Sequence, residues 1–289
     1  MYRPLGAVVI TAMTVMAVMA SAASAAPWEV DNIAHRGGSA YAPENTIVAC
    51  TVARTQRATM CEFDVQQTKD HRLILMHDPT LARTTNVEQV FPGRSPWRVS
   101  DFTLAEIQRL DAGSWFSARF KGEGVPTLEQ GLRALSKSQV GLLLEIKHDP
   151  TNPDIDKRVV AELRKHRSLW SGKRLAVQAF NWESMRSLHA MMPDLPISLL
   201  GKPAADRLAE LAEFADAVTV PHAGLTATYV KQVHEQGMRV YTWTTDRRAV
   251  IRRLMSYGVD GIMTERPDSL DAVKRRAMRM VMRAGAGLL

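Results

Sequence analysis

Residues 60–78 read MCEFDVQQTKDHRLILMHD, and how this stretch divides decides the architecture. Segments 60–65 and 73–77 both have the apolar, β-branched character of strands. Only a short polar turn around Asp70-His71-Arg72 joins them. A parallel crossover needs about a dozen residues or more, so the second segment must fold back as a hairpin arm. With that arm set aside, eight strand candidates remain, at 32–35, 60–65, 141–146, 174–179, 196–200, 217–220, 238–242 and 260–264. Helical patterns alternate with them near 44–56, 127–138, 154–167, 183–191, 204–213, 226–236 and 246–256, with a last one after Pro267. That alternation predicts an α/β protein, a (β/α)8 TIM barrel, with a hairpin arm after the second strand. The 289 residues are close to the ~250 typical of one such domain.

Between His77 and Pro126 the alternation breaks into turn-rich sequence around a short helix at 103–110, a small insertion of about 78–125 before the third barrel strand. At the other end, Leu5 to Ala20 is an apolar core preceded by Arg3 and followed by Ala23-Ser24-Ala25. This pattern predicts a signal peptide over 1–25, cleaved to leave a barrel domain over 26–289, and hence a secreted or cell-envelope protein. The apolar core is short of the ~20 residues a spanning helix needs, which disfavours an uncleaved anchor. No later stretch is apolar enough to span a bilayer. A formal net charge of +7 suits anionic substrates without singling one out.

The basic tail at about 272–289, with Lys274, Arg275, Arg276, Arg279 and Arg283, is read as a final helix with a solvated face that frays at Gly285 and Gly287. Peripheral membrane contact is the alternative for it. Nucleic-acid binding is disfavoured, because no stacking aromatics are interleaved with these charges. Cys50 and Cys61 fall on a predicted helix and the strand that follows, where either a disulfide or two buried thiols would fit.

Chemistry-bearing residues gather at the predicted strand ends, where barrel active sites lie. His35 ends the first strand, Glu62 and Asp64 lie on the second, and Glu145 is near the end of the third. Residues two apart on a strand share a face, so Glu62 and Asp64 bring their carboxylates together. Such acids raise one another's pKa unless a cation neutralises them. With Glu145 they make an oxygen-only set suited to one divalent cation, Ca2+ or Mg2+ rather than Zn2+. The alternative is pairing with Arg36 and Lys147 alone. His35 and His77 are the candidate acid and base, since imidazole titrates near neutrality. His71, His148, His166, His189, His222 and His234 are assigned structural roles, and Asp78 is expected to cap the Pro79 turn rather than to orient His77.

Together these motifs resemble the glycerophosphodiester phosphodiesterase family, whose signature begins with His-Arg-Gly, here His35-Arg36-Gly37, and Pro43-Glu44-Asn45-Thr46. The match continues through Glu62-Phe63-Asp64-Val65-Gln66, Thr68-Lys69-Asp70, Leu75-Met76-His77-Asp78, Val125-Pro126-Thr127-Leu128-Glu129, Leu144-Glu145-Ile146-Lys147, Tyr241-Thr242-Trp243-Thr244 and Asp260-Gly261-Ile262-Met263-Thr264. It spans roughly residues 33 to 268, in the family's order.

The resemblance implies hydrolysis of glycerophosphodiesters to glycerol 3-phosphate and an alcohol. Glu62, Asp64 and Glu145 would bind the metal, His35 and His77 would act as general base and acid, and Arg36 and Lys147 would hold the phosphate. Glu44 would sit beside the metal or orient Arg36, and Trp243 would pack against the glycerol carbons, although a core aromatic would read the same way. Two features depart from the family: Glu265 stands where Asp is common, and Cys50 and Cys61 lie outside the signature. Neither is expected to touch the residues around the metal. A lysophospholipase D or sphingomyelinase D-like enzyme is the nearest alternative, and a non-enzymatic cell-surface binding protein on the same fold is the other.

Overall fold

The computed structural model describes residues 30–286 apart from 151, 153, 172 and 173; the predicted leader lies outside the described residues. Nine strands form one sheet: β1 (Asp31–Ala34), β2 (Met60–Gln67), β3 (Leu73–Leu75), β4 (Gly141–Ile146), β5 (Leu175–Ala179), β6 (Ile197–Leu200), β7 (Ala217–Pro221), β8 (Arg239–Trp243) and β9 (Gly261–Thr264). Eight of them run parallel in the order β1-β9-β8-β7-β6-β5-β4-β2, and pairing of β1 with β2 closes the ring. The ninth, β3, pairs antiparallel with β2 through Val65 with Leu75 and Gln67 with Leu73. The eightfold barrel with a hairpin arm is therefore the observed architecture.

The strands are buried on both faces, which is why β4 reads GLLLEI with almost no alternation. Residues facing inward from seven strands, Ile33, Met60, Leu143, Ala176, Ala217, Tyr241 and Met263, fill the lumen below the mouth. Gly261 belongs to this layer because a Cβ there would lie 2.6 Å from the Tyr241 ring. Outward-facing residues such as Phe63, Leu144, Val177, Val218 and Ile262 pack against the surrounding helices.

Those helices are α1 (Ile47–Thr55), α2 (Val87–Val90), α3 (Leu104–Ile107), α4 (Leu128–Ser136), α5 (Ile155–Lys165), α6 (Arg167–Trp170), α7 (Trp182–Met191), α8 (Leu208–Leu211), α9 (Ala227–Glu235), α10 (Arg248–Ser256) and α11 (Pro267–Ala286). No helix among the described residues is long and apolar enough to cross a membrane.

Boundaries differ from expectation where capping overrides periodicity. The helix predicted from residue 44 begins at Ile47, because the Thr46 hydroxyl accepts from the Ala49 N–H and leaves Pro43 to Asn45 free for the site. In the insertion, the helix expected over 103–110 is the short α3, closed at its start by a capping box between Thr103 and Glu106. The insertion has a core of its own, with Leu81, Val87, Val99, Phe102, Ile107 and Leu110 packed on Ile74 and Met76 of the hairpin arm. At the tail, α11 ends at Ala286, between Gly285 and Gly287, and Gly287 lies outside the described residues. Cys50 of α1 and Cys61 of β2 are bonded as a disulfide with their Cα atoms 5.9 Å apart.

Candidate active site

Register places the site. Asp64 pairs with Glu145, and Glu145 pairs with Gln178, so these three side chains point together into the barrel mouth from adjacent parallel strands. Glu62, one step below Asp64 on the same face of β2, completes a carboxylate cluster. Glu62, Asp64 and Glu145 each offer an oxygen within 4.8 Å of the others, and all three are buried.

Each acid is held differently. Glu62 Oε2 accepts the Arg36 backbone N–H at 2.7 Å, and Arg36 reaches this position with φ 52°, a left-handed value that a side chain adopts only where its surroundings impose it. Asp64 Oδ2 accepts from Asn45 Nδ2 at 2.8 Å while the Asp64 N–H donates to Asn45 Oδ1 at 3.0 Å. Glu145 Oε1 accepts from Lys147 Nζ at 2.7 Å, and the same ammonium lies 3.5 Å from Asp64 Oδ1.

Burial, with Asp64 and Glu145 close by, pushes the Glu62 carboxyl well above its ordinary range, more than Arg36 can offset. Burial and Asp64 also raise Glu145. Asp64 goes the other way: burial is outweighed by Lys147, His77 and Arg36, and the carboxyl stays low. Two fixed cations thus leave the cluster under-neutralised. An oxygen-only, buried set with one carboxyl held high by its neighbours is the donor set of a hard divalent cation, and the three residues fit one.

The histidines flank this cluster. His35 follows β1, with its N–H bonded to Thr264 O at 2.9 Å. Its Nδ1 is buried without a hydrogen bond among the described residues, 3.7 Å from Glu265 Oε1. Glu265, expected not to touch the residues around the metal, faces His35 with its carboxylate. His77 lies on the far side, brought there by Gln66, whose side-chain amide donates to the carbonyls of Met76, His77 and Asp78 at 3.0, 3.1 and 2.5 Å. Burial lowers the His77 pKa despite Asp64 and Asp78.

Asp78 also departs from its expected turn-capping role. Its Oδ1 bonds His77 Nδ1 at 2.7 Å, and Arg83 grips both its oxygens, at 2.6 and 2.9 Å. Arg83 extends to Glu44 at 2.7 and 2.8 Å, and Glu44 accepts from Arg36 Nη1 at 2.9 Å. The chain His77–Asp78–Arg83–Glu44–Arg36 therefore runs along one side of the mouth. Glu44 thus contacts Arg36, the geometry that one of its two expected roles would need. Trp243, at the end of β8, is half-buried; its Nε1 has no hydrogen-bond partner among the described residues, and Phe180 meets it edge-on at 6.2 Å.

Sequence reading missed the roles of Asn45, Gln66, Arg83, Gln178 and Phe180, and ranked Asp78 as a partner of His77 below a turn cap. Asn45 carried one signal: it lies between Pro43 and the helix cap Thr46 and adopts φ 57°, a left-handed value that Asn tolerates. Among the histidines assigned structural roles, His148 bonds Asp156 and Ser184 at 2.9 and 2.7 Å, and His234 bonds Asp260 at 2.8 Å.

A barrel mouth with buried acids, two flanking imidazoles and two fixed cations defines a hydrolase suited to phosphoric diesters. The sequence model of the glycerophosphoryl diester phosphodiesterase family matches residues 35–269. A Bacillus subtilis relative, YhdW, is 35% identical over 241 residues, covering 82% of this chain and 94% of its own. A glycerophosphodiester phosphodiesterase of the same organism is 34% identical over 267 residues, covering 86% of this chain and 88% of its own. An Oleispira antarctica phosphodiesterase, solved in complex with the product sn-glycerol-3-phosphate, superposes with a TM-score of 0.74 at 26% identity, covering 83% of this chain and 95% of that one. This chain belongs to the glycerophosphoryl diester phosphodiesterase family.

Proposed function

We propose that the protein hydrolyses glycerophosphodiesters to glycerol 3-phosphate and an alcohol, using His35 and His77 for proton transfer. The observation that carries this reading is the convergence, on one barrel mouth, of three buried carboxylates with His35, His77, Arg36 and Lys147. The Oleispira antarctica structure with sn-glycerol-3-phosphate supports the choice of substrate class.

Glu62, Asp64 and Glu145 would hold one divalent cation, Ca2+ or Mg2+, which when bound supplies positive charge against the phosphoryl oxygens. Arg36 and Lys147 orient the phosphate from either side of the cluster. One imidazole takes the proton of the substrate's glycerol hydroxyl as that oxygen attacks phosphorus, and the other protonates the departing alcohol. Water then opens the cyclic glycerol phosphate, with the two roles reversed. Trp243 lies against the glycerol carbons. The same reading takes the leader at 1–25 as an export signal, so the enzyme would work outside the cytoplasm or in the envelope.

The test is release of glycerol 3-phosphate from glycerophosphocholine. A chelator is expected to abolish it and Ca2+ or Mg2+ to restore it. Full activity in excess chelator, in His35→Ala or in His77→Ala would overturn the reading. Phe180, 59% exposed at the mouth, favours one variation: a substrate that keeps an acyl chain. Assaying lysophosphatidylcholine beside glycerophosphocholine decides between them.

A further inference from the structure

A second cluster lies outside the mouth, in the seam of the helical ring. Glu129 stands in the first turn of α4, Glu162 near the end of α5, and His166 links α5 to α6. Each offers one ligand atom, and these atoms lie within 4.8 Å of one another. Acidic residues that merely share a surface would mean little; the imidazole makes the difference. His166 is 9% exposed, and its Nε2 is buried with no hydrogen-bond partner among the described residues.

That nitrogen is 3.3 Å from Glu162 Oε1 and 3.5 Å from Glu129 Oε2. A charge-assisted hydrogen bond would draw such pairs to about 2.7–2.9 Å. A tetrahedral ion about 2.0–2.2 Å from each donor instead separates its donors by about 3.3–3.6 Å. Both distances from His166 fall in that range. Arg133 donates to Glu129 Oε1 from Nε and Nη2 at 3.0 and 2.7 Å, which fixes the carboxylate and leaves Oε2 for the cluster, as an outer partner does around a metal.

We propose that Glu129, Glu162 and His166 form a second cation site, for a zinc-like transition ion, that clamps α4 to the α5–α6 corner. One imidazole and two carboxylates balance a divalent charge and select a borderline-soft ion, whereas the oxygen-only mouth selects a hard one. The two sites are thereby sorted by ligand chemistry. Arg133 and Lys165 are the fixed cations facing Glu129. The competing arrangement is a protonated His166 bridging the two acids with no metal.

The experiment uses the full chain, stripped of metal and carrying Glu62→Gln to weaken the mouth, titrated with Co2+ as a spectroscopic substitute for Zn2+. About one equivalent is expected to bind with the visible absorption of a tetrahedral ion, to be displaced by Zn2+, and to protect against thermal unfolding. His166→Ala should remove the bands, and Glu162→Gln should weaken binding by more than about tenfold. Both carried by an otherwise native chain should leave glycerophosphodiester hydrolysis intact. Absence of the bands in the Glu62→Gln protein, or bands unchanged by both substitutions, would overturn the site. Should His166→Ala fail to fold, the partly exposed Glu162 alone decides the matter.

Discussion

Glu62 occupies a poor position for a carboxylate: it is buried beside Asp64 and Glu145, with one backbone N–H and a guanidinium for relief. Its folded pKa lies above the unfolded one, so the metal-free native state binds the extra proton. The penalty is absent below the unfolded value of about 4.3 and grows as pH rises toward the folded value. Glu62→Gln should therefore raise the thermal midpoint of chelator-treated protein at neutral pH while lowering turnover by about 100-fold or more. A lower midpoint in calorimetry would show that Glu62 is not strained. Asp78 makes a second case. It holds His77 Nδ1 and is itself held near pKa 2, chiefly by Arg83. Asp78→Asn should reduce kcat more than KM, since the histidine loses its orientation but not its place. Equal kcat in the variant would remove Asp78 from that role. The residues legible in the sequence were those whose chemistry is conspicuous alone. Asn45 and Arg83 were not, because each acts only through a partner that folding brings from elsewhere.

The elements that carry the site are braced from outside the mouth. The Cys50–Cys61 bond ties α1 to β2 one residue before Glu62 and closes a loop with a sequence separation of 11. Chain entropy assigns such a link about 2–3 kcal/mol. Replacing both cysteines by Ala should cost about that much in denaturant unfolding while leaving turnover nearly unchanged. The insertion is pinned differently. Burial would raise the Asp111 carboxyl, but the backbone N–H groups of Ser114, Gly122 and Gly113, at 2.7, 2.8 and 2.8 Å, hold it near 2. Because the folded value is depressed, its stabilisation is full above pH about 4 and is lost as pH falls through about 2. Asp111→Ala should loosen the insertion by about 0.5–1.5 kcal/mol, read at neutral pH as faster tryptic cutting at Arg119 and Lys121. Unchanged cutting would mean the turn holds without it. The insertion was legible as a break in periodicity, yet its core was not: Phe102 and Val99 become core residues only against Ile74 and Met76 of the arm.

At the scale of the whole molecule, the eightfold count was legible because loop length alone forbids a parallel β3. The register of the closing pair was not, since nothing local in β1 says which residues meet its two neighbours. β1 pairs with β9 over Asp31 to Ala34 but with β2 only through Ile33 and Ala34. The chain beyond β9 adds to this hold: Asn32 Nδ2 donates to Pro267 O at 2.8 Å, and Lys274 Nζ donates to Val30 O. A chain ending before Asp260 should therefore lack both a cooperative melt and hydrolysis, and either one surviving would show that β1 is anchored without β9. The same asymmetry sets a clock on biosynthesis. His35 follows the first barrel strand and Thr264, which accepts its N–H, lies on the last, so this contact forms only once all eight parallel strands have been synthesised.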